Sequence, residues 1–537
     1  MAGVALPAFG YFPALGRNTP GLEAWRDLLA SPGFWPALRL SFWTGTASTL
    51  LALGAALLIV AALEGSRSFR VMMRLISPLL SVPHAAAAIA LAFVIAPSGL
   101  VARWLSPWAT GWTRPPDALV VQDPMGLALI GGLTIKELPF LLLMILAALG
   151  QVRAGAAMRI GASLGYGRIS AWFRLVLPQI WPQLRLPVYA VLAYGLSAAE
   201  MAMILGPTRP PTLAVVLLQW MGDPDLALRL RAAAAALVQF GLVLVTILGV
   251  RLAEAAIARL ARGWLTTGAR GQAWDGAGRA VALAVVLVVC VAAALGLAGL
   301  ALWSVAGLWR FPEPLPATLS ASAWTQPGLW RAAGESALIA ATSVAVALAL
   351  VGACLEAEYR RGAPPPHRAL WLLWLPLLVP QAAFLPGMQI LMLATGLDGG
   401  RGAVIFAHLV FVLPYVFLAL AAPWRAWDTR AGVAAASLGA GPGRVLWQVR
   451  LPMLLRPLLT AAAVGFAVSI GQYLPTVLIG GGRVVTLTTE AVALAAGANR
   501  RLVGALALMQ MVAPLLAFML ALGLPAVVFP NRRGMRP

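Results

Sequence analysis

Long apolar runs dominate the chain and alternate with short polar segments rich in arginine and glycine. Each run is close to the ~20 residues that an α-helix needs to cross the hydrocarbon core of a bilayer. There are eleven such runs, at residues 38–62, 75–97, 125–150, 186–206, 232–253, 279–304, 333–355, 370–395, 403–422, 459–480 and 503–529. The pattern predicts an all-α, polytopic transmembrane protein.

The distribution of charge supports the same picture. The chain is 61% hydrophobic and only 11% charged, whereas a typical soluble domain has about 25% charged residues. Most arginines lie in alternate loops, at 63–74, 151–185, 254–278, 356–369 and 423–458, and in the tail after residue 530. The positive-inside rule predicts that these segments, including the C-terminus, face the cytoplasm of a bacterial inner membrane. The net charge of +21 therefore reflects topology and does not indicate a nucleic-acid partner.

Short matching segments indicate an internal duplication with both halves in the same membrane orientation. A Pro-Gly pair precedes a span at 32–33 and again at 327–328, and Thr212-Leu213 matches Thr486-Leu487. The predicted domains are a first half at 1–255 with an external insertion at 98–124, a cytoplasmic linker at 256–278 and a second half at 279–537. The second half has six spans and the first has five, so we expect the native chain to start upstream with a twelfth helix.

Two polar loops in register carry the most specific match. Ala162, Ser163, Leu164, Gly165 and Gly167 of the first loop match Ala436, Ser437, Leu438, Gly439 and Gly441 of the second. Leu177-Pro178 and Leu451-Pro452 follow at the same distance from the first glycine. Each loop has an alanine-rich stretch compatible with a helix, a glycine pair that allows a bend, and a second amphipathic stretch ending at Leu-Pro. The repetition predicts two equivalent docking points for a cytoplasmic partner.

The loops resemble the EAA loop of permease subunits in binding-protein-dependent ABC importers. That loop has Glu-Ala-Ala, a glycine, an aliphatic residue and Leu-Pro at fixed spacing, and Leu175 and Val449 match the aliphatic position. The family's glutamate falls on Arg159 and Val433, so the acidic residue is absent from both copies. The Ala-Ala pair becomes Ile160-Gly161 in the first copy and is retained as Ala434-Ala435 in the second. Over essentially the whole chain, the resemblance is to fused double permeases such as those of thiamine and ferric-iron importers.

The resemblance implies a transport subunit with several partners. Two ABC ATPase subunits would engage the two loops, each loop forming a coupling helix in a groove of the ATPase, and a periplasmic or lipid-anchored substrate-binding protein would dock outside. The chain cannot supply the ATPase itself, because its single lysine, Lys136, is followed by Glu137 and not by the Ser/Thr of a phosphate-binding P-loop. We expect no enzymatic activity, no catalytic residue, no metal site and no cofactor.

Ionisable and polar residues inside spans are costly in a bilayer and are candidates for function. The candidates for a translocation passage between the halves are Lys136, Glu200, His84, Gln381 and Gln472. The alternative is that they form interhelical hydrogen bonds, including a pair of Lys136 with Glu200 or with Glu137.

Two other functions compete with the importer at this stage. An ion-gradient-driven secondary transporter could use Glu200 as a proton site, but such proteins usually have inverted repeats. A membrane enzyme acting on a lipid-linked substrate would need an external cluster of catalytic acids, and the sequence has none that stands out. Thiamine, ferric iron, a polyamine and a small oxyanion all remain open as cargo.

Overall fold

The computed structural model describes residues 2–13, 16–76, 80–363, 366–397, 399–497 and 499–529. These residues form α-helices, two short π-helical segments and two isolated β-bridges, and contain no β-strand. The prediction of an all-α protein is confirmed. Long apolar stretches rich in Ala, Leu and Val favour helix because a helix satisfies its own backbone hydrogen bonds inside a bilayer.

The first thirteen helices lie in residues 2–266. They are α1 (Ala2–Ala8), α2 (Glu23–Ala30), α3 (Phe34–Leu63), α4 (Arg67–Ile76), α5 (His84–Ile95), α6 (Leu100–Leu105), α7 (Leu127–Leu149), α8 (Ala154–Ser163), α9 (Arg168–Ala171), α10 (Leu177–Ser197), α11 (Glu200–Leu205), α12 (Leu213–Gly222) and α13 (Leu228–Thr266).

The remaining twelve helices lie in residues 274–528. They are α14 (Trp274–Val305), α15 (Pro327–Arg361), α16 (His367–Leu378), α17 (Gln381–Ala394), α18 (Arg401–Arg425), α19 (Thr429–Ser437), α20 (Pro442–Arg444), α21 (Leu451–Met453), α22 (Leu455–Ile470), α23 (Leu474–Gly480), α24 (Leu487–Ala495) and α25 (Arg500–Val528).

Within the described residues, eight helices are long and apolar enough to cross a membrane, and ten if each of two bent helix pairs is one span. The expected count of eleven spans is therefore not confirmed. Three expected spans lie outside those eight helices, and each of them is divided. The span at 186–206 is divided between α10 and α11, the one at 370–395 between α16 and α17, and the one at 459–480 between α22 and α23.

Corresponding helices pack in corresponding ways in the two parts of the chain. In the first, α3 packs against α7 and α10, and in the second, α15 packs against α18 and α22. The Ser41 hydroxyl of α3 accepts a hydrogen bond from the Leu213 amide at 2.8 Å. The Ser336 hydroxyl of α15 accepts one from the Leu487 amide, also at 2.8 Å. These matched contacts are what a parallel duplication would produce.

Helix α14 joins the two groups of helices. It packs against α3 and α5 of the first group and against α25 of the second. Helix α1 packs against α13 and α17 and also contacts both groups.

The segment expected to be a polar linker, 256–278, is mostly helical. Helix α13 continues to Thr266 and α14 begins at Trp274, so only residues 267–273 form a loop between them. The sequence of this segment is rich in Ala, Leu and Arg, which are strong helix formers, and this explains the extension of α13. From here on, "the linker" means residues 267–273.

Candidate functional site

Each of the two repeated loops contains a short helix that ends in a Schellman motif. In the first, the amides of Gly165 and Tyr166 donate to the carbonyls of Ala162 and Gly161, at 3.0 Å in both cases. In the second, the amides of Gly439 and Ala440 donate to the carbonyls of Ala436 and Ala435, at 2.9 and 3.0 Å. This pair of bonds satisfies carbonyls that a helix end would leave unpaired. Helices α8 and α19 are therefore closed in the same way.

The first glycine of each pair makes the turn. Gly165 has φ +75° and Gly439 has φ +82°, both in the left-handed region that residues with a Cβ rarely adopt. Gly167 and Gly441 have φ −59° and −68° and lie in extended backbone that other residues can adopt. The expected bend is thus present in both loops, at one glycine of each pair.

The second stretch of each loop differs from expectation. It contains a π-helical turn, Trp172–Val176 in the first copy and Val445–Arg450 in the second. Leu-Pro follows the π turn directly in both copies. Proline lacks an N–H and its ring crowds the carbonyl four residues back, and the wider π turn accommodates both effects. The sequence predicts that this stretch ends at Leu-Pro. In the first copy the helix instead continues as α10 to Ser197, and in the second copy it bends by 73° after Met453.

The outer surfaces of α8 and α19 are open to contact with another molecule. Leu164 and Leu438, the residues before the turn, are 56% and 89% exposed. Ala162, Ser163, Ala436 and Ser437 are also exposed. These exposed apolar side chains are available for contact with another protein.

A buried arginine that the sequence did not single out holds the second loop in place. Arg450 Nη1 lies 2.6 Å from Glu356 Oε2 at the end of α15, and the arginine side chain is 3% exposed. The guanidinium carbon lies 3.7 Å from the ring centroid of Tyr359 and 4.3 Å from that of Trp427. In the first loop, Arg174 has a similar role, because its guanidinium carbon lies 4.1 Å from the ring centroid of Trp264 on α13.

The candidate passage residues separate into groups. His84 Nε2 lies 3.0 Å from Glu137 Oε1, and the Tyr194 hydroxyl donates to Glu200 Oε1 at 2.8 Å. The rings of His84 and Tyr194 lie 4.4 Å apart, so these four residues are neighbours. Lys136 is buried on α7 beside Glu137.

Two polar residues of the second half pair with each other, and a third reaches α11 of the first half. Gln381 Nε2 donates to Gln472 Oε1 at 3.3 Å. The next residue, Tyr473, donates from its hydroxyl to the sulfur of Met203 at 3.3 Å. Met203 belongs to α11, the short helix that begins at Glu200. The matched prolines before His84 and Gln381 thus start helices whose first residues lie in polar contacts.

Two buried glutamines, also missed from the sequence, support the helix interruptions. Gln239 on α13 donates from Nε2 to the Leu196 carbonyl at 2.9 Å, just before α10 ends. Gln510 on α25 donates to the Thr488 hydroxyl, which donates in turn to the Ile470 carbonyl at the end of α22. Both glutamines are fully buried. A polar residue in the last long helix of each half is the signal that could have identified them.

The described residues contain no group of three or more His, Cys, Asp or Glu side chains that could hold a metal ion.

Comparisons with known proteins agree with this arrangement. The chain is 32% identical over 533 residues to the inner membrane ABC transporter permease protein YnjC of Escherichia coli (strain K12), covering 97% of this chain and 95% of YnjC. The molybdenum transport system permease protein ModB of Mycobacterium bovis is 37% identical over 81 residues, 15% of this chain and 31% of ModB. The spermidine/putrescine transport system permease protein PotC of Haemophilus influenzae is 24% identical over 153 residues, 28% of this chain and 60% of PotC. No protein-family model matches the chain.

The similarity to YnjC extends over nearly the full length of both chains, and the helices described above are those of a multi-pass membrane protein. A secondary transporter and a lipid-modifying enzyme are both disfavoured by this relationship. The resemblance read from the repeated loops is confirmed: the protein belongs to the family of ABC transporter permeases.

Proposed function

We propose that this permease forms the translocation passage of an importer and couples it to two separate ATPase subunits through the loops around Gly165 and Gly439. The observation that carries the proposal is the repeated geometry. Each loop has an exposed short helix, a Schellman turn at a glycine and a π turn followed directly by Leu-Pro. Two loops of the same construction would provide one docking site for each of two ATPase subunits.

The connection from each loop to the interior follows the chain. The stretch from Arg168 runs through the π turn into α10, which ends at Ser197, three residues before Glu200. A displacement of α8 by a docked subunit would therefore move the helix interruption that carries Glu200. In the second half, the same path leads from α19 through α22 to Gln472.

The passage would lie where these interruptions meet, between the two halves. His84, Glu137, Tyr194 and Glu200 would line it from the first half, and Gln472 with Gln381 and Tyr473 from the second. Lys136, buried beside Glu137, would balance part of the negative charge. A substrate-binding protein would deliver cargo from the side opposite the loops, and the C-terminus would lie with the loops in the cytoplasm.

The proposal is tested by replacing both turn glycines with valine in the purified complex with its ATPase subunits. A β-branched residue is strongly disfavoured at positive φ, so the Schellman turns should open. We expect Gly165→Val/Gly439→Val to insert in the membrane normally but to lose transport-coupled ATP hydrolysis. The control is Gly54→Val on α3, where a Cβ meets nothing within 4 Å. Unchanged substrate-stimulated hydrolysis in the double variant would contradict the docking role.

Uptake driven by ATP in vesicles without an ion gradient separates this proposal from gradient-driven transport. Uptake that requires a proton or sodium gradient and is indifferent to ATP would contradict it.

A further inference from the structure

The two loops differ in their contact with the linker between α13 and α14, which is hydrogen-bonded to the first loop. The Gly167 amide donates to the Arg270 carbonyl at 2.8 Å, and Gln272 Nε2 donates to the Gly165 carbonyl at 2.7 Å. Asp275, in the first turn of α14, accepts hydrogen bonds from the amides of Arg168 and Ile169 at 2.6 and 3.0 Å. The linker is therefore part of the surface around the first turn.

The second loop has an open turn in the corresponding place. A Cβ built on Gly439 or Gly441 meets no atom within 4 Å, whereas one built on Gly165 lies 3.1 Å from Arg270 Nη1. One of the two N–H groups that bind Asp275 in the first copy is absent from the second, because Pro442 stands in the place of Arg168 and has no N–H. The second turn therefore has one N–H group fewer for a carboxylate to bind.

The side chains on the two surfaces differ in charge. Arg270 lies against Gly165 at the first turn, and Arg159 is exposed farther back on α8, with its Nη1 3.8 Å from a Cβ built on Gly155. At the position of Arg159 the second copy has Val433, which is 64% exposed, followed by Leu438 at the turn. A partner that covers α8 and the linker therefore meets Arg159 and Arg270 in addition to the exposed Leu164. One that covers α19 meets Val433 in the place of Arg159, together with Leu438.

We propose that the linker is a component of the first docking surface and that Arg159 and Arg270 bind an acidic face of the ATPase subunit there. The second loop binds its ATPase subunit through apolar contact at Val433 and Leu438. This inference rests on the proposed function, since it assumes that the loops dock ATPases. Its consequence is that the two docking sites respond differently to salt, because exposed ion pairs are screened and apolar contacts are not.

The test uses the full chain in nanodiscs of zwitterionic lipid together with the ATPase subunit that co-purifies with it. A photo-crosslinker at Ser163 or at Ser437, matched exposed positions on α8 and α19, reports which site is occupied. Occupancy is measured from about 100 mM to about 1 M NaCl, where the Debye length falls from about 10 Å to about 3 Å. We expect crosslinking from Ser163 to fall with salt while crosslinking from Ser437 persists.

Charge reversal gives the second measurement. Arg159→Glu/Arg270→Glu should weaken ATPase binding at the first site by about tenfold at 100 mM NaCl, the size expected for two exposed charge contacts, and leave the second site unchanged. The backbone carbonyl of Arg270, which holds Gly167, remains in this variant. The matched control is Arg430→Glu/Arg444→Glu, at exposed arginines of α19 and α20, which should change occupancy at Ser437 by no more than about twofold.

The outcomes distinguish this inference from the proposed function on which it rests. Equal salt dependence at the two sites, or equal effects of the two charge reversals, would overturn this inference and leave the proposed function standing. Failure of any ATPase subunit to crosslink at either position in the unmodified complex would overturn both.

Discussion

Removing the carboxylate of Glu356 should detach the second loop from the membrane helices. The Arg450 side chain is 3% exposed, and its guanidinium has Glu356 as its ion-pair partner at 2.6 Å, with the rings of Tyr359 and Trp427 around it. Glu356→Ala leaves a cation buried among aromatic rings, and breaking one side of a buried ion pair typically costs about 3–5 kcal/mol. At about 1.4 kcal/mol per factor of ten, the equilibrium for release of the loop would rise at least about a hundredfold.

The neighbouring pair Arg425–Glu358 is the matched control. It joins α18 to α15 with two hydrogen bonds of 2.7 and 3.0 Å, but the arginine side chain is 46% exposed. An exposed pair contributes about 0–1 kcal/mol, so Glu358→Ala should have little effect.

Hydrogen exchange of the segment 442–453, followed by mass spectrometry in lipid nanodiscs, measures the release directly. Glu356→Ala should speed exchange there by about a hundredfold or more, and Glu358→Ala by less than about fivefold. The double variant Glu356→Ala/Arg450→Met should recover most of the protection, because no unpaired charge remains buried. The reasoning is refuted if the two single variants exchange alike, or if the double variant is worse than Glu356→Ala.

Three further predictions follow from single residues. Gly439→Ala should destabilise the second turn by about 1–2 kcal/mol because its φ is positive, whereas Gly441→Ala should be nearly neutral; hydrogen exchange at 435–441 compares them, and equal effects would refute the assignment of the turn. Gln239→Leu should lower the free energy of unfolding by about 1–3 kcal/mol, because the buried Leu196 carbonyl loses its hydrogen-bond donor, whereas Gln179→Leu, at an exposed position, should not. Thermal unfolding measures both variants, and a Gln239 variant as stable as the unmodified chain would contradict the prediction. Burial raises the pKa of Glu64 above its ordinary value of 4.5, against the opposing charge of Arg168, so this carboxyl favours folding when protonated and its contribution to stability is lost as the pH rises above 4.5. Glu64→Gln should therefore be more stable than the unmodified chain at pH 7 and equally stable below pH 4.5. A difference in stability that stays constant across that pH range would contradict this prediction.

The features that depend on local chemistry could be predicted from the sequence. The apolar runs predicted membrane helices because a bilayer requires about 20 apolar residues in a row. The turns at Gly165 and Gly439 could be located because a helix that ends in a left-handed residue strongly favours glycine there. The register of Leu-Pro behind these glycines indicated that the two loops have the same construction.

The features that depend on contacts between distant segments could not. The interruption between α10 and α11 falls at Ala198-Ala199, residues that favour helix, and it is supported by Gln239 on another helix. The pair Glu356–Arg450 joins residues far apart in the chain, so neither residue stands out from its neighbours. Helix α13 extends beyond the span predicted at 232–253, to Thr266, because the polar segment that follows the span is rich in Ala, Leu and Arg, which favour helix.

Helix α14 restricts how the two halves can move. It begins beside the first loop, where Asp275 binds the amide of Arg168, and packs on α3 and α5 of one half and on α25 of the other. A helix embedded in both halves would keep them from separating, so the proposed passage between them would open by tilting of the halves about this helix. A displacement of the first loop would then be transmitted directly to both halves, whereas a displacement of the second loop would first be transmitted through its own half.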